Sequence, residues 1–82
     1  MGKMKTYYRI VTMFGNDGSV LYATSEEKLN EKPESGSCSN SQYSVYSDWF
    51  ERAAERDGFA SDAIAEGGKQ VPIETIACLY YR

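Results

Sequence analysis

The clearest alternation of apolar and polar side chains lies near the start of the chain. Thr6-Tyr7-Tyr8-Arg9-Ile10-Val11-Thr12-Met13-Phe14 is rich in β-branched and aromatic residues and predicts a strand. Gly15-Asn16-Asp17-Gly18 then supplies residues that tolerate positive φ. Strand character resumes over residues 19–24, so a β-hairpin is expected. A tight turn on Asp17-Gly18 pairs Met13 with Tyr22, and one on Asn16-Asp17 pairs Met13 with Val20. Either register puts Tyr7, Arg9, Val11, Met13, Val20, Tyr22 and Thr24 on one face and Tyr8, Ile10, Thr12, Phe14, Leu21 and Ala23 on the other. A lone hairpin cannot bury two such faces, so a further strand and a helix must cover it.

Over residues 25–44 apolar positions thin out, and a flexible Ser-rich loop is expected at about 33–44. The period then changes. Tyr46, Trp49, Phe50, Ala53 and Ala54 recur at helical spacing behind Ser47 as N-cap. They predict an amphipathic helix from about residue 48 to 57, closed by Gly58 in the left-handed conformation. Residues 61–66 predict a second, shorter helix ended by Gly67-Gly68. Residues 71–81 predict a closing strand, with Pro72 near its start where a missing N–H is tolerable. The expected fold is a single α+β domain over residues 1–82, in the order β-β-α-α-β. A small antiparallel sheet of about three strands carries one main helix on one face. The opposite face, bearing Tyr7, Val11, Met13 and Tyr22, calls for a protein partner; a homodimer is a second way to cover it.

Composition adds two constraints. Eighty-two residues suffice for one core, and 13% aromatic residues argue for folding even though the apolar fraction is only 41%. The net charge of −3 is unevenly spread: residues 1–25 carry +2 and residues 67–82 carry +1, while residues 26–66 hold ten acids against four bases, or −6. That middle repels phosphate and disfavours nucleic acid as a partner. Arg9 interrupts any apolar run after the basic start, so no secretion signal is expected. No stretch approaches the roughly 20 apolar residues of a membrane span, and a cytoplasmic location is expected by default. Cys38 and Cys78 are expected to be free thiols, Cys78 packed in the core and Cys38 exposed, although their even number leaves a disulfide open.

Chemistry is scarce. The absence of histidine removes the usual general base and the commonest metal ligand. Neither cysteine has a base and an orienting group beside it in the pattern. Gly15-Asn16-Asp17-Gly18 fails the spacing of a calcium loop, and Gly67-Gly68 lacks the continuation of a phosphate loop. No catalytic residue, metal or cofactor is therefore expected. The chain is expected to be a non-enzymatic protein-binding module, with Tyr7, Val11, Tyr22, Asp48, Glu51 and Glu55 as partner-binding candidates. In size and charge it resembles the small phage-encoded antagonists of host defence such as anti-CRISPR proteins. That resemblance implies an inhibitor whose acidic residues compete with phosphate for a basic groove. The alternative is a single-stranded nucleic-acid binder using tyrosines on an open sheet with Lys3, Lys5, Arg9 and Arg82 as a basic rim.

Overall fold

The N-terminal hairpin forms where the side-chain pattern places it, with a register that differs from both tight-turn expectations. In the computed structural model, which describes residues 3–81, β1 spans Lys5–Gly15 and β2 spans Val20–Leu29. The hydrogen bond between Gly15 and Ser19 encloses a loop of three residues, 16–18. Gly15 N–H donates to Ser19 O at 2.9 Å, Gly18 N–H donates to Gly15 O at 3.0 Å, and Gly18 adopts φ 88°. This is the three-residue hairpin loop with a left-handed final residue. The Asp17 carboxylate braces it, accepting from the Ser19 hydroxyl at 2.6 Å and the Ser19 N–H at 2.9 Å, and these bonds hold its pKa below the ordinary value.

An odd loop slips the second strand by one residue relative to either two-residue turn, and a one-residue slip exchanges faces. Met13 pairs with Leu21 and Thr12 with Tyr22. Tyr7, Arg9, Val11 and Met13 therefore share a face with Leu21 and Ala23, while Val20, Tyr22 and Thr24 join Tyr8, Ile10, Thr12 and Phe14.

The middle of the chain departs further from expectation. β3 (Gly36–Ser39) lies within the segment expected to be loop, and β4 (Tyr43–Phe50) occupies the residues expected to begin the helix. Ser47 is thus not an N-cap; its hydroxyl accepts from Arg9 Nε at 2.9 Å. In Tyr43–Phe50 the aromatic and β-branched residues fit an alternating pattern as well as a helical one. Antiparallel pairing with β1, from Tyr8↔Phe50 to Gly15↔Tyr43, selects the strand. Asn40 shapes the β3–β4 turn: its side-chain oxygen accepts from Gln42 N–H and Tyr43 N–H, and its amide donates to Tyr80 O at 3.0 Å.

Helix α1 then runs without interruption over Ala53–Ala65. Gly58 lies inside it with a right-handed φ, so the two expected helices are one. Its true end is at Gly67, φ 89°, where Gly67 N–H donates to Ile64 O and Gly68 N–H to Ala63 O, both at 2.9 Å. These are the paired bonds of a Schellman stop. A two-residue strand β5 (Lys69–Gln70) pairs in parallel with β2. The last expected strand is instead helix α2, Ile73–Tyr80, whose Ile73, Ile76, Leu79 and Tyr80 recur at helical spacing and pack on the sheet. Cys78 is exposed on this helix, not packed in a core, and Cys38 is exposed on β3; both are free thiols.

The described residues therefore build an α+β fold with a five-stranded sheet in the order β3-β4-β1-β2-β5, covered on both faces. On one side α2 packs against Val11, Met13 and Ala23 through buried Ile76. On the other, α1 lays Ala60 and Ala63 against Ile10 and Tyr22. The small side chains let α1 approach closely, and Arg56 pins it to the hairpin: its guanidinium lies 5.2 Å from the Tyr8 ring centroid and 3.5 Å from Glu26. Ile10 and Met13, on opposite faces of β1, are the largest fully buried side chains, each contributing about 1.5–3 kcal/mol by burial. The sheet face expected to await a partner is thus occupied by α2.

Because a Cβ on Gly58 would meet no atom within 4 Å, Gly58→Ala is expected to stabilise the protein by about 0.5–1 kcal/mol through helix propensity. The melting temperature should rise by roughly 4 °C, as for a domain of this size. Were Gly58 a left-handed cap, the same substitution would lower it.

Candidate functional site

The even-numbered face of β1 continues past the α1 contact. There Thr12 and Phe14, with Tyr46 and Asp48 from β4, form the floor of a cleft of about 220 Å³ whose other wall is the second half of α1. Three aromatic rings line it. Phe14 and Tyr46 meet edge to face with centroids 5.8 Å apart. Phe59 projects from α1 and packs on Phe50, also at 5.8 Å. Tyr46 and Phe59 remain exposed, at 44% and 38%.

Around these rings stand three carboxylates: half-buried Asp48 from the sheet, and exposed Asp62 and Glu66 one turn apart on α1. Among the described residues none of the three has a lysine or arginine nitrogen within 4.0 Å. Asp62 and Glu66 lie at i, i+4, where like charges cost a helix a few tenths of a kcal/mol. No group of three acids or cysteines among the described residues converges closely enough for a metal ion. The negative charge is instead spread around an aromatic-walled space, an arrangement suited to an organic cation, whose charge the rings also attract.

Thr12 supplies the most telling detail. It is 2% exposed, and among the described residues its hydroxyl has no hydrogen-bond partner. A buried hydroxyl left unpaired costs about 1–3 kcal/mol, and this one sits in the lining of the cleft.

The sequence-derived candidates separate. Tyr7 and Val11 lie on the α2 side of the sheet and Tyr22 on the α1 side, all three buried at 6% exposure or less. Asp48 lines the cleft. Glu51 is exposed at the junction between β4 and α1, and Glu55 is exposed in the first turn of α1, where its charge suits the helix dipole. Thr12, Phe14, Tyr46, Phe59, Asp62 and Glu66, which also line the cleft, lie outside that set. Tyr46 and Phe59 look like core in a helical reading, and only the uncompensated Asp62–Glu66 pair leaves a trace in the sequence. Comparison with protein-family models, curated proteins and solved structures finds no match. Among the described residues no helix is long and apolar enough to cross a membrane.

Thr12→Val keeps the shape and removes the unpaired oxygen. It is expected to raise the unfolding free energy of the isolated protein by about 1 kcal/mol, as measured by urea denaturation. A loss of that size would show that the hydroxyl is satisfied in the free protein.

Proposed function

We propose that the chain is a non-enzymatic protein-binding module that receives a lysine or arginine side chain of its partner in the cleft between α1 and the sheet. The carboxylates of Asp48, Asp62 and Glu66 carry this reading, because among the described residues they stand around the aromatic walls of one cleft without a lysine or arginine of their own, and an ammonium or guanidinium group answers both charge and rings. The rim carboxylates supply charge and the aromatic walls supply contact area. Residues 48–66 hold six acids and two arginines, a net of −4, which extends the attraction to a basic surface and raises the rate of encounter. The basic grooves of nucleic-acid-binding enzymes present this chemistry, and a small inhibitor of such an enzyme is the version that the charge distribution favours.

The rival, a single-stranded nucleic-acid binder, draws less support. It needs an open tyrosine sheet, whereas helices lie on both faces and Tyr7 and Tyr22 are buried.

The test is capture of partners from the source cell on immobilised protein, beside a D62K/E66K variant and an E51K/E55K variant of confirmed melting temperature. The expected outcome is a basic protein whose affinity falls at least tenfold for D62K/E66K and only two- to threefold for E51K/E55K, with its nucleic-acid binding blocked by the wild type. Equal retention by all three proteins overturns the cleft as the site. Oligonucleotide binding that weakens with salt would favour the rival.

A further inference from the structure

The opposite face of the sheet holds a second cleft, independent of the acidic one. Helix α2 leans chiefly on β2, so the β4 and β3 side of that face is only partly covered. The space left is about 350 Å³. Val11, Val45, Ile73 and Ile76 make it apolar, and Gly36 keeps its β3 side open, since a Cβ there would meet no atom within 4 Å.

Among the described residues that line this apolar space, one is a cation. Arg9 is half-buried, and among the described residues no carboxylate lies within 4.0 Å of it. Its side chain is nonetheless held: Nε donates to Ser47 Oγ at 2.9 Å, and Cζ lies 5.3 Å from the centroid of the Trp49 ring. Those contacts fix the plane of the guanidinium and leave the N–H groups of its two terminal nitrogens for another acceptor. A fork of this kind matches a carboxylate in a bidentate manner. An unpaired charge beside apolar walls is costly, and an anion that brings its own apolar body offsets that cost.

We propose that the cleft between α2 and strands β1, β3 and β4 binds a medium-chain carboxylate, its head on Arg9 and its hydrocarbon tail along Ile73, Ile76 and Val45. Among the described lining residues Arg9 is the one cation, and one guanidinium neutralises one negative charge, which suits a carboxylate better than a phosphate dianion. At about 30 Å³ per small group, the volume of one water in the liquid, the cleft holds roughly ten to twelve non-hydrogen atoms. Octanoate is of that size. At the far end the Tyr80 phenol, its pKa raised by hydrogen bonding with the Cys38 side chain, stays protonated at neutral pH and adds no negative charge.

Trp49 is the only tryptophan and touches Arg9, so its emission reports the site. Octanoate below its micelle concentration is expected to change that emission saturably, with 1-octanol and octylamine at least tenfold weaker. Calorimetry on Arg9→Gln should show the preference for octanoate over octanol falling toward unity. Gly36→Phe, which fills the space while leaving Arg9 in place, should abolish binding of both with an unchanged circular dichroism spectrum. Octanol binding as tightly as octanoate, an Arg9→Gln variant that keeps the preference, or no saturable change with octanoate overturns the proposal. None of these outcomes bears on the acidic cleft, whose residues lie on the other face.

Discussion

The three-residue turn at residues 16–18 is the constraint on which the remaining structure depends. It sets the pairing of β1 with β2, and with it which side chains of β2 face α1 and which face α2. A two-residue turn would place Tyr22 beside Val11 and Met13, taking from the α1 layer the ring against which Ala63 packs. Gly18, with its positive φ, and the Asp17 carboxylate, which clasps Ser19 from both backbone and side chain, are the local chemistry that selects the odd loop. Three residues of turn thus decide the partition of two cores.

β1 is the common wall of those cores, hydrogen-bonded on both sides and covered on both faces. Its interior is apolar apart from Arg9 and Thr12. These two fall on opposite faces, three residues apart, and each lies in the lining of a cleft. Their situations are alike: among the described residues one is a held guanidinium without a carboxylate, the other a buried hydroxyl without a partner. In a strand otherwise devoted to packing, these two polar groups are the ones whose hydrogen-bonding capacity the described residues leave unused.

The sequence made some of this legible and concealed the rest for physical reasons. The hairpin shows because Tyr7 to Phe14 has β-branched and aromatic residues without a competing helical period. Tyr43–Phe50 does have such a period, because Tyr46, Trp49 and Phe50 are spaced for a helix that continues into Ala53 and Ala54; only pairing with a strand thirty-five residues away decides it. The C-terminal segment errs in the opposite direction. Its isoleucines and threonine favour a strand locally, but Ile73, Ile76 and Leu79 are set for one side of a helix, and covering Val11 and Met13 requires that side. Of the acidic cleft, Asp48 was within reach of charge reasoning. Thr12 was not, since an unsatisfied hydroxyl is a property of its surroundings.

The Asn40 amide, which donates to the Tyr80 carbonyl, links the β3–β4 turn to the last turn of α2. Beyond this bond and its apolar face, α2 is joined to the sheet through β5, whose parallel pairing with β2 involves only two residue pairs and closes a loop of more than forty residues. Few hydrogen bonds therefore tie the C-terminal layer to the sheet, and its hold rests on the apolar side chains it presents, buried Ile76 above all. Shaving that one side chain would loosen this layer, whereas the α1 layer, hung on Ala63 and on the Arg56 contacts, has fastenings of its own.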